Sequence, residues 1–346
     1  MENRPSWLDF AKIRLSWGQN GNERIGSFAY TSMMSQGKNA VINGKVYTGM
    51  LPSGYANADL KWETSEQTDL RFFNSALTFS ADYFVKKTKD MLLSMPIPLY
   101  TSYGSMTVNS GTVKNEGIEF EASYRFKVGE VNLGINGNAS YVKNEVADLA
   151  GDDFVLTANY SDLGGPLQIM KPGYPMGSFY VYQWKGFDDK GANLYQKADG
   201  SLTTNPTSDD LVVKGQASPK WTVGWNNTVT WKNWTLNVFF NAATGYARLN
   251  ISRFMAASMT GVSRFITLRD AYFKGWDHVA NKADALYPSL TNTDNKSYAN
   301  SDFWLEDASF IKLKNISLVP HSSPCIKVCK CTIVCQRTGS LYDHPL

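Results

Sequence analysis

The residues best equipped for chemistry in this 346-residue chain are few, and their spacing suits none of the usual centres. All four cysteines fall in the tail, at Cys325, Cys329, Cys331 and Cys335, interleaved with Lys327, Lys330 and Arg337. Clustered thiols invite zinc or an iron–sulfur cluster, but C-x3-C-x-C-x3-C matches neither zinc-knuckle pairs nor ferredoxin runs. His278, His321 and His344 are the only histidines, and no two of them stand at metal-ligand spacing. Asp188-Asp189-Lys190-Gly191 and Asp209-Asp210 could offer oxygens to calcium. The repeating ligand pattern of an EF-hand is absent, so they read as acidic turn residues. A phosphate-cradling glycine loop, a metalloprotease motif and a nucleophile elbow are also missing. The expectation is no catalysis, no metal and no cofactor.

The elements around these residues carry more information. Leu77–Val85 places Leu77, Phe79, Ala81, Tyr83 and Val85 on one parity, and Val131–Tyr141 does the same with Val131, Leu133, Ile135, Ala139 and Tyr141. Period two, with one apolar and one polar face, marks a half-exposed β-strand. Further strands are expected at Ala11–Trp17, Thr64–Phe72, Ile118–Arg125, Trp221–Trp231, Trp234–Ala242 and Ser309–Leu318. Short turns follow the second, fourth and sixth strands, at Asn74-Ser75, Lys127–Glu130 and Lys232-Asn233. Long polar connections follow the first, third, fifth and seventh. Pro96 and Pro98 argue against a central strand in the second of these. The third spans 142–219, with a strand expected at Ser178–Trp184, and the fourth is expected to hold a short helix near Val262–Tyr272.

Antiparallel neighbours connected in this way put every long loop at one end, as in outer-membrane β-barrels. No run of about 20 apolar residues offers a transmembrane helix, whereas a barrel strand needs only about 9–11 alternating residues. Aromatic residues make up 13% of the chain, which suits strands and the aromatic girdles of barrels. The formal charge of +3, without a dense Lys/Arg stripe, leaves no footprint for nucleic acid. Met1-Glu2-Asn3-Arg4-Pro5 does not open a signal peptide, so a barrel reading expects the export signal outside this sequence.

On this reading the apolar parity faces membrane lipid, with Trp17, Tyr124, Tyr141, Trp221 and Trp234 mostly at strand ends. The opposite parity carries Glu119, Glu121, Arg125, Asn132, Asn136, Asn138, Asn226, Thr228 and Asn237. These groups are too polar to face hydrocarbon unpaired and suit a watery or plugged lumen. A solvent-facing sheet surface would carry the same pattern. Tyr174, Tyr180, Tyr182 and Trp184 in the long central connection are candidate substrate contacts, able either to stack on sugars or to pack on one another.

Several segments are similar to a known family. Trp7–Asn22, Leu60–Thr64 with Gln67-Thr68, and Asp82-Tyr83-Phe84 with Lys87–Asp90 resemble the barrel of SusC/RagA TonB-linked outer-membrane receptors. So do Val113–Glu119, Pro175–Tyr180 and Asp302–Leu318, all in family order. The resemblance implies an all-β, antiparallel transmembrane β-barrel, here partial: about eight strands of a 22-stranded barrel. It also implies an outer-membrane importer of oligosaccharide (glycan) or peptide substrates, partnered by a SusD-like lipoprotein. Energy would come from TonB, which would be reached only through an N-terminal region outside this sequence. Residues 1–318 are then the partial barrel, and Val319-Pro320-His321 replaces the family's continuation. The tail at 319–346 is thus expected to be aberrant, through a frameshift or contig edge, and the fragment inactive alone. A soluble glycan-binding β-protein and a passive porin are the competing readings.

Overall fold

A computed structural model describes residues 11–22, 31, 34–52, 57, 59–74, 78–96, 105–160, 165–257, 268–289, 300–320 and 335–336. Eight strands build one wall: β1 Ala11–Asn22, β2 Glu63–Asn74, β3 Thr78–Lys89, β4 Thr112–Val128, β5 Val131–Asp148, β6 Trp221–Trp231, β7 Trp234–Thr244 and β8 Phe310–Pro320. Each pairs antiparallel with its sequence neighbour in the order β1 to β8. A two-residue strand at Cys335–Gln336 adds to the outer edge of β8. These are the eight strands expected from period two; β6 has its expected bounds and the others run further at one or both ends, while Ser75 and Leu77 lie outside the described residues. Cys325, Cys329, Cys331, His321 and His344 lie outside the described residues.

The tight turns lie together at one end of the wall. Gly129 supplies a positive φ of 58° between β4 and β5, and Lys232 takes 50° between β6 and β7. That twist suits two-residue hairpins between right-twisted strands. The register then aligns side chains into rows across the sheet. On one face the lowest row reads Val128, Val131, Trp231, Trp234 and Pro320, beside these turns. The uppermost apolar row reads Tyr83, Ile118, Tyr141 and Trp221. Between Ile118 and Val128 a strand tilted by about 45° rises roughly 25 Å, the height of a lipid-facing band.

This face is solvent-open in the isolated chain. Leu15 is 75% exposed, Trp17 70% and Ile311 69%, and Trp225, Trp231 and Trp234 are all close to half exposed. A soluble sheet of this size would bury such a surface, whereas lipid covers it at no cost. Trp17 stands opposite Thr68, just beyond the upper apolar row. Tyr124 lies inside β4 rather than at its end, because β4 runs on to Val128, and its ring stacks on Phe126 at 5.1 Å.

The buried clusters lie above the wall, in what the sequence offered as polar connections. Strand tops and loop meet in a cluster of Met91, Val113, Val146, Leu149, Val155 and Met170. A second cluster gathers Phe254, Ala257, Ala271, Tyr287 and Trp304 around α1 Ile251–Ala257 and α2 Arg269–Phe273. The expected helix near Val262–Tyr272 is therefore helical from Arg269 to Phe273, while 258–267 lie outside the described residues. The expected strand at Ser178–Trp184 extends to Phe187 and joins a six-stranded sheet within the central connection. The first connection contains a hairpin, Met34–Ile42 with Lys45–Pro52, and the second contains Leu92–Pro96 with Ser105–Asn109. Pro96 ends a strand in that two-stranded hairpin, where no further neighbour needs its missing N–H.

Candidate functional site

The polar parity forms one continuous face. Its rows read Asp82, Glu119 and Ser140; then Ser80, Glu121, Asn138 and Gly224; then Ser123, Asn136, Asn226 and Phe239; then Arg125, Gly134, Thr228 and Asn237. The seven candidates Glu119, Glu121, Arg125, Asn136, Asn138, Asn226 and Asn237 thus share one face of β4 to β7. Period two in each strand and an unbroken register between strands bring them together.

Most of these groups hold one another across strands. Ser123 Oγ donates to Asn136 Oδ1 at 2.6 Å, and Thr228 Oγ1 donates to Asn237 Oδ1 at 2.8 Å. Ser140 Oγ donates to Glu119 Oε1 at 3.2 Å, and within β6 Asn226 Nδ2 donates to Thr228 Oγ1 at 3.4 Å. Asn138 Oδ1 accepts the Gly224 backbone N–H at 3.1 Å, over a glycine whose absent side chain leaves room for the amide. Glu121 and Arg125 are exposed. Arg125, Asn136 and Thr228 line a groove of about 530 Å³, and Asp82, Glu119, Glu121 and Asn138 line one of about 270 Å³. Such a face offers alternating donors and acceptors to water, a polar solute or a plug, and it lacks a paired nucleophile and base. Among the described residues no cluster of His, Cys, Asp or Glu could hold a metal ion.

The loop aromatics separate by environment. Tyr174 is 41% exposed, with the Lys171 ammonium 5.9 Å from its ring centre. Tyr180 packs on Phe154 at 6.4 Å, and Tyr182 on Tyr195 at 5.9 Å. Trp184 meets Phe187 at 5.3 Å and Phe303 at 4.8 Å. Burial pushes the Tyr182 phenol above its ordinary range, and the Asp210 charge adds to the effect. Three of the four rings therefore carry packing in the external block, and Tyr174 is the open one.

Residues 5–303 match the family described as TonB dependent receptor-like, beta-barrel. The chain belongs to that family. TonB-dependent receptor P3 of Formosa agariphila is 30% identical over 88% of this chain and 32% of its own length. TonB-dependent receptor SusC of Bacteroides thetaiotaomicron is 26% identical over 90% of this chain and 31% of its own. The chain thus spans about a third of the length of these curated relatives. Among solved structures, the RagAB peptide transporter superposes with a TM-score of 0.75 at 24% identity, over 91% of this chain and 35% of that one. That likeness shows the fold, a partial, antiparallel wall of a SusC/RagA-type barrel. Membership of the family places this TonB-dependent receptor segment in the outer membrane.

In this receptor segment two features escaped the sequence reading. The first is a clasp between the central and last connections, made by Asn300, Ser301 and Asp302. The Tyr182 N–H donates to Asn300 O at 2.8 Å, Asn300 Nδ2 donates to Tyr180 O at 2.6 Å, and the Trp184 N–H donates to Asp302 Oδ1 at 2.8 Å. The second is Arg253, whose guanidinium lies 4.7 Å from the Phe303 ring centre and 5.4 Å from that of Trp304, and is bridged to Glu306 at 3.1 Å. Neither has a local signature. Only the neighbouring run of aromatic and acidic residues at 302–307 hinted at a fixed structure.

Proposed function

We propose that this segment forms part of the wall and external loop block of a TonB-dependent importer of glycans or peptides, working with a SusD-like lipoprotein. The carrying observation is the single polar face of β4 to β7, hydrogen-bonded within itself and backed by an apolar face of membrane height. The RagAB peptide transporter supports the peptide class by its name, and the resemblance to SusC/RagA receptors keeps glycans beside it. Passage requires no covalent step. Glu119, Glu121 and Arg125 would line the lumen around plug and substrate, and Tyr174 would contact substrate from the loop block. TonB would act through a part of the receptor other than this segment.

The test is uptake of labelled oligosaccharide and oligopeptide by cells carrying the intact receptor with Glu119, Glu121 and Arg125 replaced by Gln. Uptake should fall several-fold while the receptor reaches the membrane in normal amount. Unchanged uptake would remove the lumen role from these residues. Failure of the SusD-like lipoprotein to co-purify with the wild-type receptor would remove the partner.

A further inference from the structure

Along the polar parity of β4 the charge changes sign. Glu119 and Glu121 stand toward the long connections, Arg125 and Lys127 toward the tight turns, and all four are exposed. Arg125 pairs with Gly134 of β5 and Lys127 with Asn132, which puts both cations over one part of the polar face. Together with Asn132, Asn136, Thr228 and Thr230 they line the groove of about 530 Å³. Gly134 keeps that groove open. A Cβ there would lie 3.6 Å from Thr228 Cβ and 3.9 Å from Arg125 Cγ, in the gap between the two side chains.

Among the described residues no carboxylate lines this groove, and neither Arg125 nor Lys127 forms an ion pair. Glu130, in the adjoining turn, bridges to neither. Asn136 Oδ1 accepts from Ser123 Oγ, which leaves its Nδ2 donors for a ligand. Two cations beside amide donors, without a counter-charge, select an anion, and a carboxylate suits the guanidinium fork. The rest of the strand narrows the class. A neutral glycan brings no charge to the groove. A polyuronate, anionic along its length, would also meet Glu119 and Glu121. A free-ended oligopeptide instead carries one carboxylate and one ammonium at opposite ends. The strand rises about 13 Å from Glu121 to Arg125 and about 27 Å from Glu119 to Lys127, the length of roughly four to eight extended residues.

We propose that the groove of Arg125 and Lys127 is a subsite for the C-terminal carboxylate of an oligopeptide. The peptide lies along β4 with its ammonium end toward Glu119 and Glu121, so its carboxylate leads toward the tight turns. Asn132 and Asn136 add neutral donors beside the two cations. The inference rests on the transport reading and commits its substrate to peptide.

The experiment is equilibrium binding to the purified intact receptor of an oligopeptide of that length, labelled on a central side chain. One form has a free C-terminus and the other a C-terminal amide, and uptake of the same pair by whole cells is followed in parallel. Wild type should bind the free acid about tenfold more tightly than the amide, as expected for one charge-assisted hydrogen bond. Arg125→Gln and Lys127→Gln should each reduce that preference about threefold, and the double variant should abolish it while binding the amide as wild type does. Lys185→Gln in the central connection should leave the preference intact. Equal binding of acid and amide by wild type would overturn the proposal, even if the double variant failed to assemble. So would a folded double variant, judged by heat-modifiable migration, that keeps the preference. Tighter binding of an oligouronate than of the free-acid peptide would overturn the choice of peptide. Uptake of both peptides alike would remove the subsite and leave the transport reading standing. The expected binding preference without uptake would uphold the subsite and remove the transport reading.

Discussion

The Asp302 carboxylate receives the Lys214 ammonium at 2.6 Å, joining two external connections across 88 residues of sequence. Its other oxygen accepts the Trp184 N–H at 2.8 Å, and the Asp302 side chain is only 12% exposed. Two loops that could have moved independently are thereby held as one block. Asp302→Ala should speed amide exchange at Tyr182 and Trp184 and weaken the clasp by about 1–3 kcal/mol, because a partly buried backbone donor loses its acceptor. Asp302→Asn retains an acceptor and loses only the pair with a half-exposed lysine, so its effect should be smaller. Hydrogen exchange of the two variants checks that order.

Gly117 stands on the polar face with the Phe84 ring lying over it. A Cβ there would fall within 2.3 Å of the Tyr141 carbonyl oxygen and 2.8 Å of the ring. Gly117→Ala should therefore force β4 away from β5 and cost about 1–3 kcal/mol. At Gly134 the nearest atom would be 3.6 Å away, an ordinary contact, so Gly134→Ala should be tolerated. Heat-modifiable migration of membrane-inserted receptor distinguishes the two.

Lipid contact can be read from a charge placed at mid-height. Phe240 lies on the apolar face in the row of Ala122, Gly137 and Trp225. Phe240→Arg should cost about 2–4 kcal/mol in a bilayer. Asn132→Arg, on the polar face near the tight turns, should cost little. Denaturant unfolding in lipid vesicles, followed by tryptophan fluorescence, gives both values, and equal costs would argue against a lipid-facing side.

The Asp210 carboxyl is held below the ordinary aspartate value of 3.8, first by the Thr207 N–H and then by that of Ala198. Its contribution to the central connection is present above pH 3.8 and is lost as pH falls through the depressed folded value. Amides of Thr207 and Ala198 should accordingly lose protection on acidification below that point, and Asp210→Asn should flatten the dependence. Hydrogen exchange across an acid series measures both.

Alternation of apolar and polar residues is local, and it made the wall legible: all eight strands, the turns at Gly129 and Lys232, and the shared face of Glu121, Asn138 and Asn237 follow from it. The strand tops were not legible. At Lys114, Glu116, Lys143 and Glu145 the outward parity changes from apolar to charged, so the period-two signal ends while the pairing continues. Ion pairs take over there from lipid.

The external block has no periodic signal to read. Asn300 to Tyr180 and Asp302 to Trp184 are bonds across 120 and 118 residues, and the rings of Phe254 and Trp304 meet only once those connections have closed. By itself the sequence determined which side chains share the apolar face of the wall and which share the polar one, because strand geometry repeats every two residues. Only the tertiary structure decided that the described parts of the central and last connections are packed, clasped and cored, since burial there depends on partners that chain order keeps far apart.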